Sequence, residues 1–158
     1  EPAFDLIPLN NQGKTRGYGV IGKLPAPEPL KQVWQRFIDA LSQNRGIDGP
    51  VFGHDYALHS VRLAGDPDQR VQKIAIVNGS GGSFVPKALA KGADLFITGD
   101  VDHHAVMDAL QGGMAVGELG HFLSEAPMLV SLANYLRASK ALADIEFLIS
   151  KANRVPWI

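Results

Sequence analysis

The sequence predicts an α/β fold in which a mainly parallel sheet is flanked by helices. Three short apolar segments resemble strands, at residues 71–77, 94–97 and 114–117, and each is followed by glycines and polar residues. Predicted helices separate these strands, and such alternation is typical of parallel strands joined by right-handed crossovers. Because open α/β sheets bind ligands at the carboxyl ends of their strands, the three polar clusters form the predicted functional site.

Composition restricts the classes of function. The chain has 158 residues, enough for one domain with a hydrophobic core. Its net charge of -1 provides no basic stripe for nucleic acid, and the absence of cysteine excludes disulfides, thiolate catalysis and Cys-ligated zinc. No apolar run approaches the roughly 20 residues that span a bilayer, and no signal peptide is visible. We therefore expect a cytoplasmic protein with neither a membrane nor a nucleic acid as partner.

Residues 1–66 are predicted to be a lead-in followed by a small α/β segment. Residues 1–16 lack a periodic pattern and are expected to be extended. Gly17–Gly22 matches the G-x-G-x-x-G of dinucleotide-binding loops, but prolines follow where that motif needs a helix, so a glycine-punctuated strand is favoured. Residues 56–63 alternate like a half-buried strand. A helix over residues 29–42 would bury one apolar face, formed by Leu30, Val33, Trp34, Phe37, Ile38 and Leu41.

Residues 67–158 are predicted to be a strand–helix unit that carries the site. Besides the three strands, this unit should contain helices at about 84–91, 101–111 and 123–142. Residues 145–149 are apolar enough to close the sheet as a fourth strand of this unit. The last helix is expected to bury Leu129, Leu132, Ala133, Leu136 and Leu142.

The first polar cluster is the glycine turn at residues 78–83, which joins a strand to a helix. Gly79, Ser80 and Gly81 are candidate anion-binding residues, because glycines let the backbone approach a ligand and a helix N-terminus offers free N–H groups. The lysine of a phosphate-binding P-loop is missing, however, and Ser83 would serve equally well as a helix cap. A purely structural tight turn is therefore an equal alternative.

The second cluster places two carboxylates and two imidazoles within residues 100–104. Groups of these types bind zinc, iron, manganese or nickel. Asp100 is a candidate for the chemistry of the site, and the alternative is that it caps the following helix. In that case only one of His103 and His104 would reach inward, because neighbouring residues on a helix point in different directions.

The third cluster contains His121 and Glu125, which are four residues apart. In the first turn of a helix their side chains would share one face and could bind one metal ion. Pro127 supports a helix that begins here, because proline is tolerated only in the first turn. The alternative is a surface contact worth a few tenths of a kcal/mol. We prefer the interpretation as metal ligands.

Three motifs occur here in the same order as in the NIF-three-like family, and together they are specific. They are residues 75–83, residues 92–100 followed by His104, and residues 120–125. The resemblance extends upstream through residues 17–25. Members of this family are dinuclear-metal proteins that are often named as a second type of GTP cyclohydrolase I. The resemblance implies an α/β fold assembled into a toroidal hexamer, with paired divalent metals facing the interior.

The resemblance also implies roles for individual residues. His121 and Glu125 would be metal ligands, and His104 would lie at the site. The family's other ligands, a His-His pair and a bridging aspartate, belong to an N-terminal half that this chain does not contain, so the chain resembles the C-terminal part of such a protein. With the ligands assigned, His104 is left for a role in supporting the ligands or in proton transfer, since histidine side chains commonly transfer protons near neutral pH. His104 and Asp100 are therefore the candidate catalytic residues.

The expected function is therefore that of a hydrolase-like protein with two divalent metals in its complete site. Zinc, iron, manganese and nickel are not distinguished, and the partners expected are a small-molecule substrate and further copies of the same protein. The first alternative is a non-catalytic assembly or regulatory module whose metals organise subunits. A second, a nucleotide-binding domain, rests on the glycine turn alone.

Overall fold

The computed structural model of the chain describes residues 4–11, 14–43, 45–46, 49–50 and 61–150, and the burial of side chains within 17–41 and 61–150. The strands are β1 (Phe4–Asn11), β2 (Lys14–Pro29), β3 (Arg45–Gly46), β4 (Gly49–Pro50), β5 (Arg62–Ala64), β6 (Arg70–Ser80), β7 (Leu95–Asp100) and β8 (Ala115–Glu118). The α-helices are α1 (Leu30–Gln43), α2 (Val85–Ala90), α3 (His103–Gln111), α4 (His121–Glu125) and α5 (Pro127–Arg137). Two 3₁₀ turns cover Gly82–Phe84 and Lys140–Leu142.

Six of these strands form one sheet in the order β1-β2-β6-β7-β8-β5. The β6–β7 and β7–β8 pairs are parallel. The outer pairs are antiparallel, so the sheet is mixed and its parallel part is the three central strands. The predicted α/β fold is confirmed, and strands from both residues 1–66 and residues 67–158 lie in the same sheet.

Helices cover both faces of the sheet, as the alternation along β7 shows. Phe96 belongs to one apolar cluster together with residues of α2 and α3. Its neighbours Leu95 and Ile97 belong to a second cluster, with residues of α1 and α4. Because successive side chains of a strand point to opposite faces, the two clusters lie on the two sides of the sheet. The result is three layers, as buried strands with helices on both faces require.

Asp94 fixes the register of the two strands that carry the site. Its carboxylate Oδ2 accepts hydrogen bonds from the backbone N–H of Gln72 at 2.9 Å and of Lys73 at 2.7 Å. These bonds tie the start of β7 to the start of β6. The strands end side by side, six residues after Asp94 and seven after Lys73, with Ser80 paired to Asp100.

The structure agrees with the prediction for the described part of the first half of the chain, except that the pairing of its first strand was not predicted. The helix expected at residues 29–42 is confirmed as α1, and Gly17–Gly22 lies inside β2, as the interpretation as a strand requires. The described residues of the lead-in, 4–11 and 14–16, are extended as expected, and the pairing of β1 with β2, which is antiparallel, was not predicted. Pro8 fits in β1 because β1 is an edge strand, and the unpaired side of an edge tolerates the missing N–H of proline.

The prediction of one continuous helix over residues 123–142 is wrong. The chain forms α4, α5 and a 3₁₀ turn instead, and the helical segment begins earlier, at His121. Pro127 lies too far along the segment to belong to the first turn of α4, so it starts a new helix in which it occupies the first position. Of the expected buried residues, Ala133 is buried and Leu132 is 44% exposed. Leu129, Leu136 and Leu142 are half-buried.

The fourth strand predicted at residues 145–149 does not form. The position beside β8 is occupied by β5, which comes before β8 in the sequence and pairs antiparallel with it. Residues 145–150 leave the 3₁₀ turn without regular structure, and the Arg137 guanidinium donates a hydrogen bond to the carbonyl of Phe147. Ile145 and Leu148 are consequently exposed. Of the strand predicted at residues 56–63, residues 56–60 lie outside the described part of the chain.

Among the described helices, none is both long enough and apolar enough to cross a membrane.

Candidate functional site

The site lies where β6, β7 and β8 end together. Past the end of β8 the chain continues to follow β7, because the N–H of Gly120 donates to the carbonyl of Gly99 at 2.9 Å. The helix α4 begins at the next residue and places its first turn against the ends of β6 and β7. As predicted for clusters that follow adjacent strands, the second and third clusters lie close together, since Asp100 contacts His121.

His121 stands between two carboxylates. Its Nδ1 lies 2.6 Å from Oδ2 of Asp100, and its Nε2 lies 3.3 Å from Oε1 of Glu125. All three side chains are about half exposed to solvent. The hydrogen bond with Asp100, together with the charges of Glu125 and Asp100, raises the pKa of His121 above its usual value.

Gly79 keeps the space beside these side chains open. Its φ of 67° is in the left-handed region that glycine adopts without strain. A Cβ at this position would lie 2.6 Å from Oε1 of Glu125 and 3.4 Å from Nε2 of His121. Any larger residue would therefore crowd the two atoms that the sequence assigns to metal binding.

Two buried hydroxyls hold Gly79 in place, and sequence reasoning missed both. Ser124, 7% exposed, accepts a hydrogen bond from the N–H of Gly79 at 2.9 Å and donates to the carbonyl of His121 at 2.8 Å. Thr98, 1% exposed, donates to the carbonyl of Gly79 at 3.2 Å. Thr98 lies in the motif at residues 92–100, and Ser124 lies in the motif at residues 120–125. What could have revealed them is a small hydroxyl residue at a position where the strand or helix pattern directs the side chain inward.

Two amide donors of the glycine turn are used within the protein. The N–H of Gly79 bonds to Ser124, and that of Gly81 bonds to the carbonyl of Asp100 at 3.2 Å. Ser83 lies within the 3₁₀ turn, and the residue before α2 is Phe84, so Ser83 does not cap that helix. This arrangement favours the interpretation as a structural tight turn. Anion binding by Gly79, Ser80 and Gly81 stays a prediction.

The helix α3 is capped by Asp102, and not by Asp100. The side chain of Asp102 accepts a hydrogen bond from the N–H of Ala105 at 3.0 Å, which lowers the pKa of this carboxyl group. The alternative in which Asp100 is the cap is therefore wrong, and its carboxylate is available to His121. His103 and His104 both lie exposed in the first turn of α3, with their rings 5.9 Å apart. The catalytic role of His104 stays a prediction.

His121 and Glu125 fit part of a metal site. Two ligand atoms that each lie about 2.1 Å from one ion are separated by roughly 3.0–3.4 Å at tetrahedral or octahedral angles. The observed separation of Nε2 and Oε1 is 3.3 Å. In the part of the chain that the structure describes, however, no three histidine, aspartate or glutamate side chains converge as a complete ligand set. These residues can supply two ligands and need others to complete the shell.

Comparison with known proteins identifies the family. The family profile described as Duf34/NIF3 (NGG1p interacting factor 3) matches residues 4–156, nearly the whole chain. The chain belongs to this family.

Relatives named "GTP cyclohydrolase 1 type 2 homolog" are similar to this chain. The one from Listeria innocua is 35% identical over 159 aligned residues, which cover 99% of this chain and 38% of the relative. The one from Clostridium perfringens is 41% identical over 98 residues, covering 62% of this chain and 37% of the relative. The crystal structure of a Bacillus cereus protein related to NIF3 superposes with a TM-score of 0.73 at 27% identity, covering 96% of this chain and 38% of that chain. This Duf34/NIF3 chain thus spans about two fifths of the length of these relatives.

Proposed function

We propose that this member of the Duf34/NIF3 family provides two ligands, His121 and Glu125, of a divalent-metal site in a hydrolase-like protein. The observation that carries the proposal is the pair of atoms Nε2 and Oε1, 3.3 Å apart, beside a space that Gly79 keeps open. The names of the curated relatives, which refer to a cyclohydrolase, support hydrolysis as the class of reaction.

Each residue of the proposed site has a distinct task. A pair of divalent ions, when bound, would polarise a substrate bond and lower the pKa of an attacking water. His121 and Glu125, at the two ends of α4, would hold one side of the site, and both side chains are half exposed, where a substrate can reach them. His104, exposed at the start of α3, is proposed to transfer a proton. The remaining ligands would come from outside the described part of the chain, because two ligands do not complete a four- or six-coordinate shell.

The test uses the intact protein, purified with its native metal. Turnover of GTP or of a simple phosphoester should be lost when a chelator removes the metal, and it should return when zinc or manganese is added. A chelator that dissociates an oligomer and changes no activity would support the non-catalytic alternative, in which the metals organise subunits. Intact protein that contains no divalent metal and takes none up would contradict the proposal.

The isolated chain of 158 residues is expected to bind divalent metal only weakly. With two protein ligands, water fills most of the coordination shell. The bound ion is then little more stable than the fully hydrated ion. Calorimetric titration with zinc or manganese should show no tight stoichiometric site, after circular dichroism has established that the chain is folded. A submicromolar dissociation constant would show that the chain itself completes the shell.

A further inference from the structure

The two carboxylates beside His121 compete for the proton of its neutral ring. A neutral imidazole carries a single N–H, on either Nδ1 or Nε2, and only the other nitrogen can bind a metal. Asp100 Oδ2 is 2.6 Å from Nδ1, whereas Glu125 Oε1 is 3.3 Å from Nε2. The shorter distance is that of a strong, charge-assisted hydrogen bond, which places the proton on Nδ1.

Asp100 also has the more firmly held backbone of the two acidic residues. It is the last residue of β7, it is paired with Ser80 of β6, and its carbonyl accepts the N–H of Gly81. Because Asp102 caps α3, the side chain of Asp100 is not needed there. Glu125, by contrast, is the last residue of the five-residue helix α4. A carboxylate on the central strand can therefore determine the orientation of a ring on the adjacent helix.

We propose that Asp100 is a positioning residue, which holds the neutral ring of His121 with its proton on Nδ1 and its unprotonated Nε2 directed toward Glu125 and the space beside Gly79. Histidines that bind metals commonly donate their other ring N–H to a carboxylate in this way, and the bond fixes both the tautomer and the orientation of the ring. The part of this inference that concerns metal affinity rests on the proposed function. The tautomer of His121 does not, since it exists without metal.

The same contact gives Asp100 a task different from the catalytic one that the sequence favours. A carboxylate bonded to a ring nitrogen at 2.6 Å can act on a substrate indirectly, through the orientation of His121. Replacing Asp100 should therefore change the tautomer and the orientation of the His121 ring, and turnover should change only as a consequence.

The experiment compares Asp100→Ala, Asp100→Asn and the matched control Asp102→Asn in the intact protein. Both asparagine variants remove one carboxylate charge, two residues apart, but only Asp100 contacts His121. Nitrogen chemical shifts of isotope-labelled histidine, recorded without metal in alkaline solution, report which ring nitrogen is protonated, and His121→Gln assigns the signal. Binding of zinc is measured in parallel by competition with a chromophoric chelator.

The unsubstituted protein and Asp102→Asn should show His121 protonated on Nδ1, and Asp100→Ala should lose this preference. Asp100→Asn should largely keep it, because the amide oxygen can still accept the N–H, which makes this variant a rescue and guards against misfolding of the alanine variant. Affinity for zinc should fall about 10–100-fold in Asp100→Ala and less in Asp100→Asn.

The two proposals fail in different ways. Protonation of His121 on Nε2 in the unsubstituted protein, or the same Nδ1 preference in Asp100→Ala, would overturn the role of Asp100 whatever the metal does. The expected tautomers in a protein that binds no zinc would leave the role of Asp100 in place and contradict the proposed function alone.

Discussion

Alanine at His121 or at Glu125 is expected to strip the intact protein of its metal. Each change removes one of the two ligand atoms that lie 3.3 Å apart, and a metal that loses a direct ligand has only water to replace it. Elemental analysis of the purified variants should find less than a tenth of the metal of the unsubstituted protein, with turnover reduced in proportion. Thermal unfolding of the metal-free variants should be little changed, since both side chains are half exposed.

His104→Ala is the contrasting variant. His104 is exposed in the first turn of α3, and its described neighbours are His103 and Asp102. The variant should keep its metal and lose turnover by about 100-fold or more, as expected when a group that transfers protons is removed. An empty site in His104→Ala together with a full site in His121→Ala would reverse the assignment of these residues.

Gly99→Ala is expected to lower the free energy of unfolding by about 3 kcal/mol, since overpacking a tightly packed position has costs of this order. A Cβ at Gly99 would lie 2.5 Å from the carbonyl oxygen of Gly79 and 2.6 Å from Oγ of Ser124. The first of these atoms belongs to the backbone of the neighbouring strand and cannot rotate away. Urea denaturation should show a lower midpoint with an unchanged slope.

Gly82→Ala is the matched control for this change. Gly82 lies in the 3₁₀ turn nearby, and the closest atom to a Cβ there is a side-chain oxygen of Asp102 at 3.3 Å, which can shift slightly. Its stability should change by no more than about 0.5 kcal/mol. Equal stabilities of the two variants would show that β6 and β7 are not in the close contact observed here.

Local patterns were sufficient to predict the centre of the fold. The strands β6, β7 and β8 are short, apolar and bounded by glycines, and α1 shows one apolar face at helical spacing, so each is recognisable without its neighbours. The proximity of His121 and Glu125 follows in the same way from their separation of four residues on a helix. Their role as ligands, which the spacing favours and the family resemblance implies, stays a prediction.

The errors occur where partners distant in sequence decide the structure. Residues 145–149 are apolar enough for a strand, but β5 occupies the place beside β8. The pairing of β1 with β2 was not predicted, and Pro8 is compatible with it because β1 is at the edge of the sheet. The contact of Asp100 with His121 joins residues 21 positions apart through the register of β7 and the start of α4, which no local pattern specifies.

The hydroxyl of Ser124 couples any movement of α4 to the end of β6. Its single oxygen bonds at once to the N–H of Gly79 in β6 and to the carbonyl of His121 in α4. If α4 swings away from the sheet, the bond to Gly79 breaks, and a buried amide is left without a partner at a cost of about 1–3 kcal/mol. Partial separation of α4 from the sheet is therefore unfavourable. We expect α4 and the end of β6 to separate in one cooperative step.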